Sequence, residues 1–226
     1  MSKKKGSPLT EDSAAPLAAL ETALKDFKRS VEITRDVRFQ ANLRLAKRQL
    51  FSSYIVSILS LFVIVLSLLP NILILAPTQN QILLACSICL SVFVIFTSLL
   101  DGAQNFHYKG ELLHQCARKV ATIYLELKNI DPHVAGADVE FKRLQIEYQR
   151  ALDDCPINHE NIDFIREQAY KPHLFPVNFS QYGFIKDLQV RWRSFQGFIG
   201  ANSWMLPHLV AMGVVSAVVY FFVLPI

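Results

Sequence analysis

Between Arg48 and Asp101 the chain runs for 52 residues without an ionised side chain, although Asp, Glu, Lys and Arg make up 19% of the sequence. Helices of a water-soluble hairpin rarely stay free of charge for so long. The run is too long for one membrane span and the right length for two. Phe51–Leu69 and Ile82–Leu100 each supply 19 residues, about 28 Å of helix against a hydrocarbon layer of ~30 Å. Between them, Pro70 to Gln81 holds two prolines and four amides, which break a helix and favour water. The pattern predicts a transmembrane helical hairpin over residues 51–100.

Charge orients it. The first 50 residues carry eleven Lys and Arg, and the Pro70–Gln81 loop carries none. Lys109, Arg118 and Lys119 follow the second span. Lys and Arg stay on the cytoplasmic side, so both arms are expected there and the loop outside. Arg44, Lys47 and Arg48 crowd the last turns before the bilayer, where long cationic side chains snorkel to the headgroups and set orientation. Specific lipid binding is the sharper alternative for that cluster. A mean hydropathy of +0.28 lies between soluble and polytopic membrane proteins, so a large aqueous region is expected beside the spans.

Residues 1–16, polar and led by Lys3, Lys4 and Lys5, read as a disordered basic tail with no apolar signal-peptide region behind it. Residues 17–50 form a cytoplasmic amphipathic helix: Leu17, Leu20, Leu24, Phe27 and Val31 keep a 3-4-3-4 spacing, and Phe39, Leu43, Ala46 and Leu50 continue toward the membrane. Residues 101–199 form a second cytoplasmic helical region. Its clearest heptad run is Leu113, Cys116, Val120, Ile123, Leu127 and Ile130, a seam that could pair within one chain or hold several chains together. A helix from about Asp138 follows, and another over roughly His159–Tyr170, with Asn158 as its N-cap and Glu160 and Asp163 near its positive end. After Arg193 no charge appears through Ile226. Residues 203–226 are expected to form a third transmembrane helix, with Arg191 and Arg193 on the cytoplasmic side and the C-terminus outside. The fold class is an all-α membrane protein.

Small polar residues lie in register within the spans. Ser53, Ser57, Ser60 and Ser67 stand at offsets of 4, 3 and 7, and Ser87, Ser91 and Ser98 at 4 and 7. Each set falls on one helix face. Such a face serves close helix packing or, in an oligomer of several copies, the wall of an aqueous pore. Cys86 and Cys89 have the spacing of a redox or metal pair, but inside a lipid-embedded helix with no second pair they read as small packing residues. The histidines keep no zinc spacing, and no phosphate loop or nucleophile elbow is present. No catalytic residue, metal or cofactor is expected, and no nucleic-acid partner.

The order of parts resembles a known family. A basic amphipathic lead (Arg38-Phe39-Gln40-Ala41-Asn42-Leu43-Arg44-Leu45-Ala46-Lys47-Arg48) precedes a serine-bearing hairpin and a long amphipathic helix. Tyr148 follows, and then Asn158-His159-Glu160-Asn161-Ile162-Asp163-Phe164. This resembles the SLATT family, two-transmembrane effector domains of bacterial nucleotide-signalling conflict systems. The resemblance implies a membrane-permeabilising, self-associating effector in the bacterial inner membrane, serving antiviral defence and triggered by a sensor partner encoded nearby. A non-conducting anchor that holds a partner at the bilayer is the other reading. The third apolar segment departs from a two-helix plan.

Overall fold

The computed structural model describes residues 11–179 and 183–222, and every regular element among them is helical. Helix α1 (Glu11–Ile72) is one uninterrupted rod of 62 residues, roughly 90 Å long. It serves as both the N-terminal arm outside the membrane and the first span. It begins inside the stretch expected to be a disordered tail; residues 1–10 of that stretch lie outside the described residues.

The turn between the spans is also shorter than expected. Only Leu73 to Ala76 separate α1 from α2 (Pro77–Gln104). Pro70 is tolerated because it stands in the last turn of α1, where its missing N–H costs a single ladder bond. Pro77 occupies the first turn of α2, where no intrahelical donor is needed. The Ala76 N–H instead donates to Gln79 Oε1 at 2.9 Å.

At Asn105 the backbone turns left-handed (φ 48°, ψ 46°), a conformation that Asn tolerates better than other non-glycine residues. Helix α3 (Phe106–Lys128) then runs back along the N-terminal half of α1. Leu24 and Val31 of α1 pack with Val120, Ile123 and Leu127 of α3, and Ala41 and Leu45 with Phe106 and Leu113. At Gly110 a Cβ would stand 3.2 Å from Asn42 Oδ1, so the absence of a side chain lets the two helices approach. Helix α4 (Ala137–Asp153) closes this core with Phe141, Leu144 and Ala151. Phe27 stacks edge-on against Phe141 and Tyr148, at 5.5 and 5.3 Å between centroids.

The heptad seam is thus consumed inside one chain. Leu113, Cys116, Val120, Ile123 and Leu127 are buried and Ile130 is half-buried against the same core. Within the chain, α1 and α4 already cover both sides of it.

Helix α5 (Asn161–Tyr170) lies antiparallel to α1, with Asp163 beside Arg44 at one end and Lys171 beside Asp36 at the other. Two 3-10 turns, Pro172–Leu174 and Pro176–Asn178, lead toward α6 (Gly183–Asn202), which packs on α5. Arg193 donates to Gln168, Gly197 faces Arg166 and Gly200 faces Ile162. A Cβ on Gly197 would stand 2.6 Å from Arg166 Cγ. Helix α6 is therefore antiparallel to α5 and parallel to α1, running toward the membrane. A 3-10 turn, Ser203–Met205, joins it to α7 (Leu206–Phe222).

Three helical stretches are long and apolar enough to cross a membrane. The third belongs to the bundle: Val215 of α7 is buried with Leu59 and Leu66 of α1 and Leu83 and Leu90 of α2. Outward, Leu61, Ile64, Leu84, Val92, Leu99 and Val210 are each more than half exposed. A bundle with large apolar side chains on its outside is one whose solvent is lipid.

Candidate functional site

The apolar run of α1 begins near residue 50; two groups of polar side chains are gathered around that level, and a third lies along the spans. The first is a buried ion pair between α1 and α5. Arg44 donates from Nε to Asp163 Oδ1 at 2.8 Å and from Nη2 to Asp163 Oδ2 at 3.1 Å. Its Nη2 also reaches Glu160 Oε1 at 3.0 Å. Arg44 is 7% exposed and Asp163 0%. Arg44 therefore does not snorkel to headgroups; it is bound inward as a bidentate fork. The same carboxylate caps α5, since the Glu160 N–H donates to Asp163 Oδ2 at 3.0 Å. Glu160, not Asn158, is the N-cap, and Asn158 Oδ1 instead accepts from the His159 N–H at 2.9 Å.

About two turns further along this interface Lys171 reaches Asp36 at 2.5 Å, Glu32 at 3.7 Å and Glu167 at 3.9 Å. Glu167 is 1% exposed, and its Oε1 has no hydrogen-bond partner. Burial, and then the neighbouring charge of Asp36, push its carboxyl above the ordinary range, with Lys171 pulling the other way. A folded-state pKa above the unfolded one contributes stability that is full below about 4.5 and is lost as pH rises through the raised value. Glu167→Gln should accordingly raise stability by about 1 kcal/mol at pH 8 and by almost nothing at pH 4. Denaturant unfolding at the two pH values checks this, and an equal effect at both would contradict it.

The second group sits at the inner end of the bundle. Ser52 donates to Asp101, the first charge after the apolar run. The Arg48 guanidinium lies over the Phe106 ring at 4.1 Å and the Trp204 ring at 5.6 Å. His208 of α7 is buried between Phe93 and Trp204, and neither ring nitrogen has a hydrogen-bond partner. Asp101 is within reach of the charges of both Arg48 and His208. Sequence reasoning passed over Ser52, Asp101 and His208 because they lie far apart along the chain. A histidine inside an otherwise apolar helix was the available signal.

The third group is the serines, which the structure divides. Ser67 and Ser87 share a hydrogen bond of 2.7 Å across the α1–α2 crossing, so these two are packing residues. Ser53 and Ser57 are exposed on the flank of α1, each bonding back to the carbonyl four residues earlier. Ser60 and Ser91 are half-buried and bond back in the same way. Ser98 is exposed. Cys86 and Cys89 are free thiols in an apolar groove between α2 and α7.

Of the other orienting cations, Lys47 and Arg191 are exposed, and Arg193 is bound to Gln168. Cys116 is buried with its thiol pushed up to about 11 by burial, Arg38 lowering it only in part. Among the described residues no cluster of three or more His, Cys, Asp or Glu is placed to hold a metal.

The family model for SLATT family 5, the SMODS and SLOG-associating 2TM effector domain family 5, matches residues 20–221. The match takes in all three apolar helices, α7 included up to its last turn. No curated protein and no solved structure gives a match.

Proposed function

Because this chain belongs to the SLATT family of SMODS and SLOG-associating membrane effector domains, we propose that several copies assemble in the bacterial inner membrane and conduct ions when a signalling partner triggers them. The role is non-enzymatic: the membrane is what the effector acts on. The basic arms support a cytoplasmic N-terminus, and in this reading a third crossing by α7 carries the C-terminus outside.

The observation that carries the reading is the outward placement of Ser53 and Ser57. They stand on a helix whose other outward positions, such as Leu61 and Ile64, are large and apolar. Lipid gains nothing from a hydroxyl flank. A water-filled lumen shared between copies does. Three helices cannot enclose such a lumen alone, so the reading requires self-association.

The surface free for it is the outer face of α6, not the α3 seam. At ~100° per residue Phe184, Leu188, Trp192, Phe195 and Ile199 fall within about 80° of one another. Val190, Arg193 and Gly197 point the opposite way, toward the rest of the chain. With Ile185 and Phe198 the exposed area of this face is roughly 900 Å² from their fractional exposures, against ~800 Å² per partner in a stable interface. Since α6 runs parallel to α1, Phe184 stands about 24 Å beyond the Gly200 end. The bilayer therefore cannot cover the whole stripe. A second copy, held in the same orientation by its own spans, presents the same stripe at the same height.

Ion flux from liposomes, with oligomer size measured on the same samples, tests the proposal. Ser57→Leu should cut flux at least severalfold while assembly and insertion persist, because leucine partitions into lipid better and dewets a polar lumen. Ser87→Leu should instead disturb the hairpin itself, since Ser87 is buried against Ser67. If the wild-type protein passes no ions with its signalling partner present, the pore reading fails. The chain is then a non-conducting anchor that holds that partner at the bilayer.

A further inference from the structure

A cleft of 340 Å³ opens where α1, the C-terminal half of α5 and the end of α6 meet, at the level where α1 enters lipid. Four cations line it: Arg44, Lys47, Arg48 and Arg166; no acidic side chain does. Arg44 is already neutralised by Asp163 and Glu160. Among the described residues the other three form no ion pair. Arg48 Nε is moreover buried without any hydrogen-bond partner, and burial pushes its guanidinium below the ordinary value, only partly offset by Asp101. Uncompensated charge of one sign in a half-enclosed cleft is costly unless an anion joins it.

Tyr170, Ser194 and Asn202 add polar groups to the lining, and the rest of it is apolar. Phe51 opens the first span, Trp204 sits at the joint between α6 and α7, and Phe198 closes the side. A ligand here meets cations above and aromatic surface below, as a phospholipid does at the headgroup boundary. We propose that this cleft binds the phosphodiester of an anionic phospholipid, with Lys47, Arg48 and Arg166 on the phosphate and the acyl chains running down beside Phe51 and Trp204. A zwitterionic headgroup fits worse, because three cations and no carboxylate would repel its ammonium. The site stands independently of whether the bundle conducts.

Native mass spectrometry of the full chain in detergent, titrated with phosphatidylglycerol, phosphatidylcholine or water-soluble glycerophosphoglycerol, tests this. Phosphatidylglycerol should be retained at one tight site, with the other two bound at least tenfold more weakly. Lys47→Gln and Arg166→Gln should each weaken phosphatidylglycerol about tenfold, the loss of one charge-assisted contact. Lys47 is exposed on a helix, so its replacement leaves the fold intact. Glutamine at 166 keeps the Cγ methylene, the side-chain atom of Arg166 nearest Gly197. Helix content and oligomer size should therefore not change. Equal retention of phosphatidylcholine, or full retention by the two variants, overturns the site. Soluble headgroup bound as tightly as the lipid overturns the lipid assignment.

Discussion

Arg44→Ala should destabilise the extramembrane part of the protein by about 3–5 kcal/mol, the range for breaking a buried pair from one side. The Asp163 carboxylate is fully buried, with one oxygen on Arg44 Nε at 2.8 Å and the other shared between Nη2 and the Glu160 N–H. Without the guanidinium the charge remains in the α1–α5 interface with only a backbone donor beside it. It must then protonate, draw in water or pull α5 away from α1. Arg44→Lys should recover only part of the loss, because an ammonium cannot present two parallel donors to one carboxylate. Replacing both partners by apolar residues, Arg44→Met with Asp163→Leu, should cost less than Arg44→Ala alone. Urea unfolding in detergent, followed by helix content, measures all three. A loss below 1 kcal/mol for Arg44→Ala would show that water already reaches the pair.

The second large effect is on assembly. Trp192→Glu with Phe195→Glu places two carboxylates at the centre of the exposed α6 face. Each would be desolvated without a partner in an apolar contact, at a cost of several kcal/mol. At about 1.4 kcal/mol per tenfold, association should weaken by at least a hundredfold. The monomer should be untouched: Trp192 and Phe195 are both more than half exposed, and among the described residues their one ring contact is with each other, at 5.9 Å. Light scattering or crosslinking in detergent should show a smaller species with helix content retained, and ion flux should fall with it. An unchanged particle size would mean that lipid or another protein covers this face.

Much of the fold is legible along the chain because lipid imposes a local rule. Every residue of a span meets either lipid or an equally apolar neighbour, so absence of charge over 52 residues is visible without knowing any contact. The same holds for the third apolar helix and for the 3-4 spacing of Leu113 to Ile130, which foretold a buried stripe. The stripe's partner was not legible. A heptad seam specifies that something apolar must cover it, and both a second copy and the chain's own α1 satisfy that requirement. Only the left-handed turn at Asn105, which sends α3 back along α1, decides between them.

Polar partners were equally hidden. Arg44 and Asp163 are separated by 119 positions, and nothing local distinguishes an arginine bound for headgroups from one bound for a buried carboxylate. Arg44, Lys47 and Arg48 look alike in the sequence. In the structure one is paired inside, one is exposed, and one lies over Phe106 and Trp204. Sequence alone determined which segments are helical and which meet lipid, because backbone hydrogen bonding and apolar transfer are set residue by residue. The tertiary structure alone decided which face meets which, because a helix face is neutral between partners of equal apolarity until chain geometry brings one of them into reach.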